Sequence, residues 1–231
     1  MGKKTIMIAL GGNSLSPKGS SGTVGEQFSF TRRTVECLSE FILKNYNICI
    51  THGNGPQVGN ELLRMDLTND LVPPLPIGIC VANTQGQIGY MVQQTLQNKL
   101  RDLKVDREIV TLVTQVLVDK NDKSIENPTK FVGARYTKRE INNLAKKLNW
   151  IVKEQESGYW RRVVPSPMPK YIMHGKSIKA LVDRGTIVIA CGGGGIPVFN
   201  SDNGRIEGLD AVIDKDFSAA KMGRIIRAQE L

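Results

Sequence analysis

Residues 5–13 read Thr5-Ile6-Met7-Ile8-Ala9-Leu10-Gly11-Gly12-Asn13, a short and nearly continuous apolar run that stops at two glycines. This pattern predicts a buried parallel strand ending in a tight turn. The same pattern recurs twice. Residues 47–51 run into His52-Gly53-Asn54-Gly55-Pro56-Gln57-Val58-Gly59, and residues 186–191 run into glycines 192–195. Helical stretches lie between these strands. Residues 26–45 carry Val35, Leu38, Phe41 and Ile42 at helical spacing, Pro56 suits the first turn of a helix continuing through 57–65, and 82–103 read as one long helix. Strands alternating with helices predict an α/β fold with a mostly parallel sheet. Ligands of such sheets gather at the carboxyl ends of the strands.

Working outward, residues 72–78 hold three prolines and read as a loop, and the β-branched-rich run 109–118 predicts a further strand. Beyond it the composition changes. Residues 119–130 are polar and turn-prone. Residues 137–149 form an amphipathic helical pattern with Ile141, Leu144, Ala145 and Leu148 on one face. Short strands are expected at 150–153 and 161–164, before Pro165, Pro167 and Pro169. Residues 118–169 therefore read as a subdomain inserted into a single domain, 1–231. A helix at 177–183 follows. Strands at 196–199 and 205–207 then flank the hairpin turn Ser201-Asp202-Asn203-Gly204, and a last helix covers 214–228.

Composition narrows the function classes. The chain has 231 residues, 40% of them apolar, with a formal charge of +9. Its mean hydropathy is −0.20. The charge favours an anionic partner without saying which. No apolar run reaches membrane-spanning length, and the run ending at Leu10 is too short for a signal-peptide core. A myristoylation signal would need Ser or Thr where Ile6 stands. Cys37, Cys49, Cys80 and Cys191 are widely spaced, which argues against zinc ribbons and disulfide scaffolds and for buried apolar filler in a cytoplasmic protein. Only His52 and His174 are available for histidine-based catalysis or metal binding. Low aromatic content and the lack of a basic recognition helix argue against nucleic acid.

A single glycine turn after a strand is often plain geometry. Three on one sheet are better explained by an anion pocket, in which ligand approaches bare backbone and N–H groups converge on it. Familiar nucleotide fingerprints fail: Gly53, Gly55 and Gly59 have the wrong spacing, and Gly175-Lys176-Ser177 lacks the P-loop glycine, position 170 being Lys170.

The strings IALGGN (8–13), THGNGPQVGN (51–60), TQGQIGY (84–90), TQVLVD (114–119), NPTKFVG (127–133), RRVVPSP (161–167), CGGGGIPV (191–198) and EGLDAVIDKD (207–216) span nearly the whole chain. Together they resemble carbamate kinase. The resemblance implies the amino-acid kinase fold, a three-layer α/β/α sandwich with a protruding inserted subdomain, and a cytoplasmic homodimer. It implies interconversion of ATP plus carbamate with ADP plus carbamoyl phosphate, with Mg²⁺, running toward ATP in the arginine deiminase pathway. It also implies roles. Lys130 would approach the transferred phosphoryl group from the subdomain hinge, and Lys215 would bridge phosphate oxygens. Asp216 would orient Lys215, and Asp214 would help with lysine or metal. Gly11, Gly12 and Asn13, with Gly193 and Gly194, would cradle phosphate. Gly53, Asn54 and Gly55 would hold the carbamate side.

The residues also permit plainer readings. Lys130 could be solvated, the run Asp214-Lys215-Asp216 could be a helix start, and Arg161-Arg162 could face water or hold an anion. His52 is expected to orient its loop. The family pattern differs at 154–160, where Tyr159 replaces a small residue and an arginine is missing. Family members also continue beyond the VIDKD helix with further nucleotide-binding segments, whereas the sequence ends at Leu231. Gly223 is unfavourable inside the last helix. Another small-carboxylate kinase and a non-catalytic anion-binding remnant are the alternatives. Segment 123–162 carries a net +6, suited to closing over phosphate.

Overall fold

The computed structural model describes residues 3–17, 19–156 and 158–231, the side chain of Asn13 excepted. The first half runs β1 (Thr5–Leu10), α1 (Gly12–Leu15), α2 (Val24–Glu36), α3 (Ser39–Leu43), β2 (Asn47–His52), α4 (Gly55–Thr68), α5 (Ile77–Asp102), β3 (Ile109–Thr111) and β4 (Gln115–Leu117). It continues with α6 (Lys123–Glu126), β5 (Lys130–Thr137), α7 (Lys138–Leu148), β6 (Val152–Glu156), β7 (Tyr159–Val164) and β8 (Tyr171–Ile172). The chain closes with α8 (Gly175–Asp183), β9 (Ile187–Ile189), a 3-10 turn (Gly192–Gly194), β10 (Ile196–Asn200), β11 (Ile206–Gly208) and α9 (Lys215–Ile226).

The first sheet has the order β1-β2-β9-β3 and is parallel throughout. Its side chains alternate between two layers, as strand geometry requires. Ile6, Leu10, Ile48, Ile50, Ile187 and Ile189 pack with α2 and α5 residues such as Val35, Ile88 and Leu96. Met7, Cys49 and Val188 point the other way, onto Ile178, Val182, Met222 and Ile226 of α8 and α9. Both faces are covered, giving the three-layer α/β/α arrangement. A second sheet, β11-β10-β4-β8, pairs β10 with β4 in parallel and its edge strands antiparallel.

The third sheet is antiparallel, β5-β7-β6, with α7 packed on it. A capping box starts α7: Thr137 accepts from the Glu140 N–H, and Glu140 accepts from the Thr137 N–H. Val132 and Val164 of this sheet join Val58 and Leu62 of α4 and Val81 of α5 in a separate apolar cluster. The third sheet is thus seated on α4.

Several expectations are corrected. The single helix over 26–45 is two helices, because the chain turns at Cys37 and Leu38 to bring Leu38 and Ile42 into the core. Cys37 at that turn is exposed, whereas the other three cysteines are buried. The run 109–118 is two strands in different sheets. Strand β5 covers residues 131–136, to which the sequence reading gives no element, and takes in Lys130 and Thr137 at the ends of the turn-prone and helical readings on either side. Helix α9 begins as expected, capped by the Asp214 side chain. Among the described residues no helix is long and apolar enough to cross a membrane.

Candidate active site

Strands β1, β2 and β9 are neighbours and run the same way, so their glycine turns emerge side by side. The turns then pack on one another. A Cβ on Gly53 would stand 2.9 Å from the Gly12 N, and one on Gly193 would stand 2.2 Å from the Asn54 amide nitrogen. Glycine at 53 and 193 is therefore a steric requirement of this junction, and at Gly193 the positive φ of 63° adds a conformational one. Asn54 is buried and held by a hydrogen bond from its Nδ2 to Thr84 Oγ1 at 2.9 Å.

A cleft of about 360 Å³ opens over this junction. Gly11, Gly12, Gly53, Asn54, Gly55 and Gly193 form its floor, and Lys130, Arg161, Asp214, Lys215 and Asp216 stand around it. The N-termini of α4 and α9, at Gly55 and Lys215, both meet the cleft. Their partial positive charges favour an anion there.

Four of these five charged groups are tied in two pairs. Lys130 Nζ meets Asp214 Oδ2 at 2.5 Å, and Lys215 Nζ meets Asp216 Oδ1 at 2.5 Å. Asp214 also caps α9, its Oδ1 accepting from the Asp216 N–H at 2.9 Å. Burial opposes ionisation of Asp214. The Lys130 hydrogen bond, the Asp216 N–H and the two lysine charges outweigh it and hold the carboxyl below the usual range. Lys130 is the first residue of β5, so the third sheet carries one lysine and the start of α9 carries the other.

Most residues singled out from sequence converge here. Gly194 does not line the cleft. It is buried behind the wall, with its O accepting from Ser218 Oγ at 2.7 Å. The main chain of Asn13 lies in α1, and its side chain is outside the described residues. The two arginines separate: Arg161 lines the cleft, while Arg162 pairs with Asp66 at 2.8 Å and covers the Trp150 ring. His52 is buried beneath the turns, its Nδ1 3.1 Å from the Gly53 O, and burial pushes its pKa down to about 4. Sequence reasoning missed Pro56, Phe131 and Ile213 as lining residues. Adjacency to Gly55, Lys130 and Asp214 was the available signal.

The geometry suits binding of an anionic group between two lysines and bare backbone. Comparison with known proteins points the same way. The amino acid kinase family profile matches residues 4–231. A carbamate kinase of Pyrococcus furiosus is 47% identical over 230 residues, covering 99% of this chain and 73% of that protein. One of Pyrococcus horikoshii is 46% identical, covering 98% and 72%. The solved structure of Giardia lamblia carbamate kinase bound to citric acid superposes with a TM-score of 0.94 at 36% identity, covering 98% of this chain and 73% of that one. The Giardia enzyme bound to AMP-PNP gives 0.84.

Proposed function

This chain belongs to the amino acid kinase family, and from that premise we propose that it is a carbamate kinase, transferring a phosphoryl group between carbamoyl phosphate and ADP. The observation that carries the reading is the 46–47% identity to carbamate kinases over nearly the whole chain. The cleft chemistry supports it. In the ATP-forming direction the bond between carbamate oxygen and phosphorus breaks, and a bond from a terminal ADP oxygen to the same phosphorus forms. Carbamate leaves and attacks as an oxyanion, so no general base is needed. The shortage of histidine then costs nothing.

Lys130 and Lys215 approach the transferred group from two sides, and the glycine turns offer N–H groups to its oxygens. Asp214 and Asp216 hold the two lysines in place. Gly53, Asn54 and Gly55 take the carbamate end. Residues 118–169 act as the protruding subdomain that brings Lys130 to the phosphoryl group.

Among the described residues no group of three His, Cys, Asp or Glu could hold a metal. The donor set instead fits a magnesium ion carried by the nucleotide, which commonly takes one or two protein carboxylates plus phosphate oxygens. Asp214 and Asp216 are the carboxylates at hand. Bound there, the ion would neutralise charge on the transferred group. A cytoplasmic homodimer serving arginine breakdown completes the reading, and light scattering tests the dimer.

The test is ATP formation from ADP and carbamoyl phosphate, read by a coupled assay against Lys215→Ala. Turnover by wild type, reduced about a hundredfold or more in the variant, is expected. Turnover with another carboxylate acceptor but none with carbamoyl phosphate overturns the assignment.

A further inference from the structure

We infer that Arg161 is the specificity-determining residue for the carbamoyl end of the substrate, its guanidinium receiving the carboxyl-type oxygen that remains after phosphoryl transfer. The inference rests on the carbamate kinase reading and deepens it.

Charge pairing in the cleft is the first argument. Each lysine there has an aspartate at 2.5 Å. Arg161 has no carboxylate partner among the described residues. The charge that acts on it is that of Arg135, a like charge that is itself held by Glu156 at 2.9 and 3.1 Å. Arg161 is also substantially removed from water, its Nε being buried without a hydrogen-bond partner. A desolvated cation with no counter-ion is costly unless a ligand supplies the charge. The bound substrate is the anion that completes the arrangement.

Geometry is the second argument. A guanidinium carries five N–H donors in a rigid fork. Two of Arg161's are engaged, by Gly133 O at 2.7 Å and Gln155 Oε1 at 3.2 Å. Both partners belong to the inserted unit, so the fork is pre-oriented and still has donors to give. Arg161 and Pro56 border both the cleft and an adjoining cavity of about 330 Å³ lined by Ser16, Ser20 and Ser21. The boundary lies beside Gly55–Pro56, on the acceptor side. Lys215, whose stem lies against Gly53 and whose head meets Asp216, holds the phosphoryl side. The arginine thus faces the end of carbamoyl phosphate that the lysines do not serve. A planar fork suits a carboxyl-type group better than a point charge does.

The test compares Arg161→Gln and Arg161→Lys with wild type. Removing a charged hydrogen bond should raise KM for carbamoyl phosphate about tenfold to a hundredfold in Arg161→Gln. KM for ADP should stay within about twofold, and Arg161→Lys should recover part of the loss. Calorimetric titration gives a second readout that needs no turnover. Arg161→Gln should lose affinity for carbamoyl phosphate but keep that for inorganic phosphate.

Equal loss toward both ligands, or unchanged KM for carbamoyl phosphate with a lowered melting temperature, assigns Arg161 to structure and overturns the inference. Wild type that turns over while Arg161→Gln matches it overturns the inference and leaves the carbamate kinase reading standing. Wild type that does not turn over removes that reading. The titration then decides Arg161 alone: a wild type that fails to bind carbamoyl phosphate, or binds it no better than Arg161→Gln, overturns the inference.

Discussion

Gly59 of α4 and Gly133 of β5 meet backbone to backbone: a Cβ on Gly59 would stand 1.9 Å from the Gly133 Cα and 2.0 Å from its N. No side chain is involved that could swing away. Gly59→Ala must therefore move β5 off α4, and Lys130 moves with it. We expect destabilisation of about 1–3 kcal/mol or more, and loss of at least tenfold in turnover. Gly133→Ala is the milder change. Its φ of 75° disfavours alanine, but its Cβ would meet Gly59 at 3.5 Å, an ordinary contact. Melting curves and the coupled assay on both variants check the order.

Gly223 presents the opposite case. It lies inside α9, and a Cβ there would meet Met7 Cβ at 3.8 Å and Ala228 Cβ at 3.9 Å. Nothing requires glycine. Gly223→Ala should stabilise the protein by about 0.5–1 kcal/mol, read as a higher urea midpoint at unchanged slope.

Asp66 of α4 ties down Trp150, which follows α7, and Arg162 of β7. Its Oδ2 accepts from Trp150 Nε1 at 2.6 Å and from Arg162 Nη1 at 2.8 Å. The Arg162 and Asp66 side chains are 19% and 26% exposed, so the link is partly desolvated. Asp66→Ala leaves an indole N–H and a guanidinium without their acceptor. A loss of about 1–3 kcal/mol is expected, measurable by denaturation followed through tryptophan fluorescence.

Asp216 is 72% exposed at the side chain, while its partner Lys215 is 19% exposed. The carboxylate therefore positions the lysine and adds little stability. Asp216→Asn should lower kcat about tenfold to a hundredfold with the melting temperature nearly unchanged. A raised KM for ADP at constant kcat would leave Asp216 only its part at the nucleotide-borne magnesium and refute its part in positioning Lys215.

His52 makes stability depend on pH. Burial depresses its pKa to about 4 in the folded state, against about 6.5 in the unfolded chain. Between those values the unfolded state takes up a proton that the folded state does not. Stability is therefore full above about pH 6.5, falls as pH drops, and has lost roughly 3 kcal/mol by pH 4. Denaturation of wild type and His52→Gln across this range should diverge accordingly. The chain has only two histidines, so proton NMR can follow His52 directly. A pKa near 6.5 would refute the buried-neutral assignment.

Much of the fold could be read from short stretches. An apolar run ending in glycines marks a strand and its turn because both preferences act over a few neighbouring residues. The long helix α5, the capping-box helix α7 and the hairpin at Ser201–Gly204 were legible for the same reason. The run 109–117 was not, since one β-branched run feeds two sheets and only the pairing of β3 with β9 and of β4 with β10 decides where it divides. Strand β5 was missed because Gly133 at positive φ and a register shift after Val132 interrupt its alternation.

At the site, the residue types were legible and their pairings were not. Sequence alone determined a parallel α/β core with three glycine turns at strand ends, because periodicity and glycine's missing Cβ are local properties. Tertiary structure decided that Lys130 is held by Asp214, that Arg162 turns to Asp66 while Arg161 faces the cleft, and that Gly194 lies behind it. Each of these outcomes depends on which distant segments pack together and which charges they bring within a few ångströms, and Coulomb and hydrogen-bond energies respond to that distance rather than to separation along the chain.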